Sequence, residues 1–173
     1  MRVLVTAASR HGSTDTIAHL IQRRLIEAGL DVDLRAPDDV DSIDGVEAVV
    51  LGSAVYTGHW LAPAREFARR FAAGLVQRPV FLFSSGPLGE EPFPTGDPVD
   101  VAGLMGSTGA IEHRVFGGRL EPRDLGIVER LIVTGVHAPQ GDFRSWDDIA
   151  AWAGTIAARL DATARRDAVA VGR

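Results

Sequence analysis

The sequence contains no cysteine, no lysine and no asparagine. The first absence excludes disulfides, thiolate nucleophiles and Cys-ligated zinc or iron–sulfur sites. The second excludes a Walker-type phosphate lysine and a Schiff base, and all 18 basic residues are arginine. The third leaves no acceptor for N-glycosylation. Tyrosine occurs once, at Tyr56. No apolar run approaches the roughly 18 residues of a membrane span. The opening Met1–Val5 runs into a strand pattern rather than a secretory signal, so the expected location is the cytoplasm. A net charge of −5 with no basic stripe gives a nucleic-acid partner no support.

What is present is ordinary globular composition. The 173 residues are 46% hydrophobic and 24% charged, enough for one domain with a full core. Short apolar runs predict strands at Val3–Ala7, Ala48–Leu51, Pro79–Phe83 and Arg114–Phe116. Asp31–Arg35 alternates polar and apolar residues, as an edge strand does. Helical spacing appears between them, over Thr14–Ala28 with Gly29 as a stop and over Leu61–Ala73 with Gly74 as a stop. Ser145 caps a last helix whose stripe is Ile149, Trp152, Ala153, Ile156 and Leu160. Pro87–Gly109 reads as a long loop holding one short helix, and Asp124–Val136 as an additional helix. The domain is expected to span 1–160, with 161–173 as a tail that frays.

Strands alternating with helices predict an α/β fold, a doubly wound parallel sheet of about five strands in the flavodoxin-like order 2-1-3-4-5, with helices on both faces. In that order the loops after the first and third strands meet at the switch point, where ligands bind. The first loop offers Ser9, Arg10, His11, Gly12, Ser13 and Thr14 at the start of a helix. Hydroxyls, a permissive glycine and unsatisfied helix amides make an anion site there without lysine. Neither the Gly-x-Gly-x-x-Gly nor the Walker pattern is present, which disfavours a nicotinamide dinucleotide or a nucleoside triphosphate.

The second loop runs through Ser53, Ala54, Val55, Tyr56, Thr57, Gly58 and His59 to Trp60. Tyr56 and Trp60 are candidates to stack on a planar ring, or else to cap the sheet. A third loop contributes Ser85, Gly86 and Gly89. One loop for phosphate and two for a flat ring describe an aromatic mononucleotide. FMN fits, and another planar phosphate ester stays open. Five acids, Glu90, Glu91, Asp97, Asp100 and Glu112, fall between Arg78 and Arg114. They are either solvated or close enough to a flavin to lower its potential.

These loops resemble the flavodoxin family, with Ser9-x-x-Gly12-x-Thr14 in the phosphate position. More narrowly, the chain resembles the flavodoxin-like, quinone-linked protoporphyrinogen IX dehydrogenases. Ser9–Thr14, Gly58-His59-Trp60 and Glu66-Phe67 carry that likeness, which extends over most of 1–160. The resemblance implies FMN binding and two-electron oxidation of an organic substrate, with electrons passed onward. It names a small-molecule substrate or a quinone as partner. A redox protein is the partner if the chain is instead an electron carrier. A third reading is a non-enzymatic interaction module on the same fold. The segment 119–143 carries arginines and acids together, and the helix expected over 124–136 is a candidate face toward a quinone or a membrane surface.

Overall fold

The computed structural model describes residues 1–86, 97–120 and 141–171. Gly89, Glu90, Glu91 and the helix expected over 124–136 lie outside the described residues. Strand β1 (Arg2–Ala8) leads into helix α1 (Ser13–Glu27), and β2 (Asp31–Arg35) follows. A 3-10 turn at Pro37–Asp39 precedes β3 (Ala48–Tyr56), β4 (His59–Trp60), α2 (Ala62–Arg70) and α3 (Ala72–Leu75). Strand β5 (Val80–Gly86), α4 (Val101–Thr108) and β6 (Glu112–Gly117) complete the repeat. A small ribbon, β7 (Arg119–Leu120) with β8 (Gly141–Asp142), precedes α5 (Trp146–Val171).

The main sheet runs β2-β1-β3-β5-β6, all parallel, with β4 pairing antiparallel to the end of β3. With β4 set aside, this is the predicted doubly wound order. Strand alternation sends Val3, Val5 and Ala7 to one face, where α1 and α5 cover them, and Leu4 and Ala8 to the other. Ile17, Ile21, Leu25, Ile149, Trp152 and Ile156 fill the first layer. Phe67, Ala68, Leu75, Val101 and Leu104, from α2, α3 and α4, fill the second. Trp152, Phe83 and Phe116 meet at centroid separations of 5.5 to 6.2 Å. A Cβ on Gly52 would sit 2.1 Å from the Phe83 ring, so glycine is what lets β3 carry that ring.

Several boundaries differ from the sequence reading. The helix predicted over Leu61–Ala73 breaks at Phe71, and Gly74 lies inside α3 instead of stopping it. A Cβ at Gly74 would come 2.8 Å from Ile43 Cδ1, the outer end of a side chain that could turn aside. Strand β3 continues five residues past the predicted end at Leu51. Helix α5 runs through 161–171, the stretch expected to fray. Its alanines and arginines are strong helix formers, and Arg165 pairs with Asp161 at 2.7 Å one turn away. Among the described residues no helix is long and apolar enough to cross a membrane.

Candidate functional site

The carboxyl ends of β1, β3, β5 and β6 form one rim of the sheet, and the predicted site residues that are described lie along it. Gly12 takes a left-handed conformation, φ 79°, that turns the chain into α1. The Gly12 amide donates to Ser9 Oγ at 3.1 Å, which fixes the loop. The first closed helical bond is Thr16 N to Gly12 O at 3.1 Å, so the amides of Ser13, Thr14 and Asp15 have no intrahelical carbonyl. They point out of the N-terminal, electropositive end of α1. Ser13 Oγ accepts the Arg119 amide at 2.9 Å, tying this loop to the strand after β6. Thr14 is buried beneath the loop.

Asp15, absent from the sequence-derived site, sits in this first turn. Crowding by its neighbours raises its pKa, while a hydrogen bond from Ser9 and the nearby His19 pull it down. Its carboxylate opposes an anion at the same helix end.

The second predicted loop is largely strand. Ser53, Ala54, Val55 and Tyr56 belong to β3, and only Thr57 and Gly58 form the turn into β4. Both turn residues have positive φ, 50° and 82°. That pair matches the two-residue hairpin whose twist suits antiparallel strands. Small residues read as loop in the sequence, but parallel pairing with β1 and β5 holds Ser53 and Ala54 extended, and antiparallel pairing with Trp60 and His59 does the same for Val55 and Tyr56. Thr57 is the only described non-glycine residue with positive φ, and it is β-branched, an unfavourable choice there.

The rim brings the first loop and the hairpin together. The Arg10 guanidinium carbon lies 5.2 Å from the Tyr56 ring centre, and the His11 ring lies 6.2 Å from it. Ser85 and Gly86, also predicted as loop, end β5 and pair with Phe116 and Gly117 of β6. Gly86 O accepts the Gly118 amide at 2.5 Å. Ser53 turns inward, its hydroxyl donating to Ala54 O at 2.8 Å and accepting the Leu61 amide at 2.9 Å. Trp60 is no stacking wall: it is 1% exposed, within the second core layer. Its indole Nε1–H donates to Ser84 Oγ at 2.7 Å.

Three of the five acids have structural partners. Asp97 Oδ1 lies 2.9 Å from His113 Nδ1. Asp100 Oδ2 accepts the Trp60 amide at 2.8 Å and lies 3.2 Å from His59 Nδ1. Glu112 binds the Trp152 indole and, at 3.1 Å, Arg159.

His113 is invisible to motif reading because its partners are distant in sequence. Its side chain is 5% exposed, and Nε2 lies 2.8 Å from Ser84 Oγ. The Asp97 carboxylate only accepts, so Nδ1 carries the proton. Burial favours the neutral imidazole, whose Nε2 then accepts from the Ser84 hydroxyl. Burial lowers the His113 pKa, against the pull of Asp97.

The model of the flavodoxin domain family matches residues 4–146. The chain belongs to the flavodoxin family. No curated protein matches its sequence. Among solved structures, this family member is similar to a flavodoxin from the domain Archaea, at 23% identity and a TM-score of 0.57, over 78% of this chain and 99% of that one. A cysteine-to-serine mutant of a Pseudomonas aeruginosa flavodoxin aligns at 15% identity and a TM-score of 0.61, over 93% and 99%. The rubredoxin:oxygen oxidoreductase of Desulfovibrio gigas aligns at 15% identity and a TM-score of 0.64, over 93% of this chain but 36% of that one. At these identities the structural likenesses establish the fold. FMN is the cofactor of flavodoxins. The rim fits it: a lysine-free amide cradle suits the phosphate, and the one tyrosine stands beside that cradle.

Proposed function

We propose that this flavodoxin-family protein is an FMN-dependent oxidoreductase that takes two electrons from an organic substrate and passes them on. The observation that carries the proposal is the contact between the first loop and Tyr56 at the switch point of the sheet. The amides of Ser13, Thr14 and Asp15 are the phosphate donors, and Gly12 lets the backbone approach. Tyr56 and the backbone of 56–59 would border the ring, and Gly86 lies next to Val55, where an added Cβ would be 3.7 Å from Val55 Cβ. When bound, FMN supplies the redox chemistry. The protein orients it and sets the charge around it.

Protoporphyrinogen IX as donor and a quinone as acceptor are the specific pair. They rest on the resemblance of Ser9–Thr14, Gly58-His59-Trp60 and Glu66-Phe67. Arg10, exposed at the rim beside Tyr56, provides a cation suited to a propionate. The family match favours a second reading, a carrier that exchanges electrons with a redox protein.

Colour is the first test. The purified protein is expected to be yellow, or to take up added FMN with quenching of flavin fluorescence; failure of both overturns the proposal. Anaerobic mixing with protoporphyrinogen and a quinone then separates the readings. Turnover supports the dehydrogenase, whereas reduction only through a partner reductase supports the carrier. Gly12→Ala is expected to weaken FMN retention, since its cost is the left-handed backbone of roughly 1–2 kcal/mol and not a clash.

A further inference from the structure

The hydrogen bonds around His113 close into a ring. Asp97 binds His113, His113 binds Ser84, and Ser84 binds the Trp60 indole. The Trp60 amide then binds Asp100, three residues along the chain from Asp97. A parallel tie runs from the Val99 amide to Gly58 O at 2.9 Å. The ring thus joins the segment 97–100, β6, β5 and the β3–β4 hairpin.

Asp–His–Ser connectivity is also that of a hydrolytic triad. Here Ser84 is fully buried, its hydroxyl donates to His113, and its oxygen accepts from Trp60. No substrate reaches it, so it is not a nucleophile. What the ring does hold is the hairpin. Trp60 is the residue paired with Val55, and the turn it closes contains strained Thr57. A turn with a β-branched residue at φ 50° persists only where its surroundings over-determine it. The ring supplies that constraint directly behind Tyr56.

We infer that His113 is a positioning residue: through Ser84 and Trp60 on one side and Asp97 on the other, it locks the β3–β4 hairpin in the shape that seats the flavin ring. This rests on the FMN reading above. His113 acts through other residues and is not itself a catalytic group. Because a hairpin backbone beside the ring interacts differently with oxidised and reduced flavin, loosening it shifts the potential as well as the affinity.

The test uses the FMN-loaded protein. His113→Asn keeps a donor at the Nδ1 position toward Asp97 but no group that reaches Ser84. His113→Gln keeps an acceptor at the Nε2 position toward Ser84. Trp60→Phe removes the indole donor. For each, the FMN dissociation constant comes from fluorescence quenching, the midpoint potential from a redox titration, and the melting temperature from a thermal scan. We expect His113→Asn and Trp60→Phe each to weaken FMN three- to tenfold and to shift the potential. Their combination should be no worse than the stronger single change, since both open the same ring. His113→Gln should recover part of the loss. Unchanged affinity and potential in folded variants, or strictly additive effects, overturn the inference while leaving the FMN reading intact. A wild-type protein that takes no FMN overturns both. Should the His113 variants fail to fold, Asp97→Ala opens the ring from its exposed end and is judged by the same readouts.

Discussion

Arg10 places its guanidinium carbon 5.2 Å from the centre of the Tyr56 ring, joining residues that lie 46 positions apart in the chain. A cation over an aromatic face is worth about 0.5–1 kcal/mol at an exposed site. The same ring supplies an aromatic surface for a ligand. Tyr56→Ala is therefore expected to weaken FMN binding by roughly three- to tenfold, from the ~0.5–1.5 kcal/mol of an aromatic pair. Tyr56→Phe should retain most of the affinity. Equilibrium titration followed by fluorescence checks both.

Asp15 sets a negative charge at the helix end that a phosphate would approach. Asp15→Asn should tighten FMN binding several-fold, with the largest effect at low salt. It should also alter the pH dependence of stability. Because the folded pKa is raised, the group favours folding below its unfolded value, and that contribution is lost as pH rises through the folded pKa. In denaturant titrations from pH 3 to pH 7 the wild-type protein should therefore lose ground relative to the asparagine variant as pH rises.

His113 has the opposite sign. Its folded pKa is lowered, so its contribution is fully present above the unfolded value of about 6.5 and is lost as pH falls through the folded pKa. Stability should drop between pH 6.5 and more acidic values. A His113→Gln protein should show a shallower drop in the same denaturant experiment.

Two packing changes have opposite expected signs. Gly52→Ala drives a methyl into the Phe83 ring and should cost about 1–3 kcal/mol, read as a lower denaturation midpoint. Thr6 Oγ1 is buried without a hydrogen-bond partner. Thr6→Val removes that unsatisfied oxygen and should stabilise by about 1 kcal/mol. An unchanged midpoint in either variant contradicts the packing described.

The sheet is legible in the sequence because its strands are apolar on both faces. Val3, Val5, Val50, Phe81 and Leu82 need no partner information to read as buried. The first loop is legible for a similar reason: Ser, Gly and Thr before a helical stripe can be read locally. The hairpin is not. Gly52, Ser53 and Ala54 look like loop until Phe83 is found above Gly52 and the Leu61 amide on Ser53. The His113 ring is hidden for want of proximity, since His113 reaches Ser84 across 29 positions and Asp97 across 16. Trp60 carries two readings in the sequence, and only its burial decides between them.

The bond from the Arg119 amide to Ser13 Oγ spans 106 positions. Ser13 emerges early from a ribosome, but its partner follows roughly 5–20 s later at ordinary rates of synthesis. The loop before α1 is thus written first and finished late. A nascent chain holding only the first two strands lacks this brace, so the loop gains its full set of contacts only once β7 has been made.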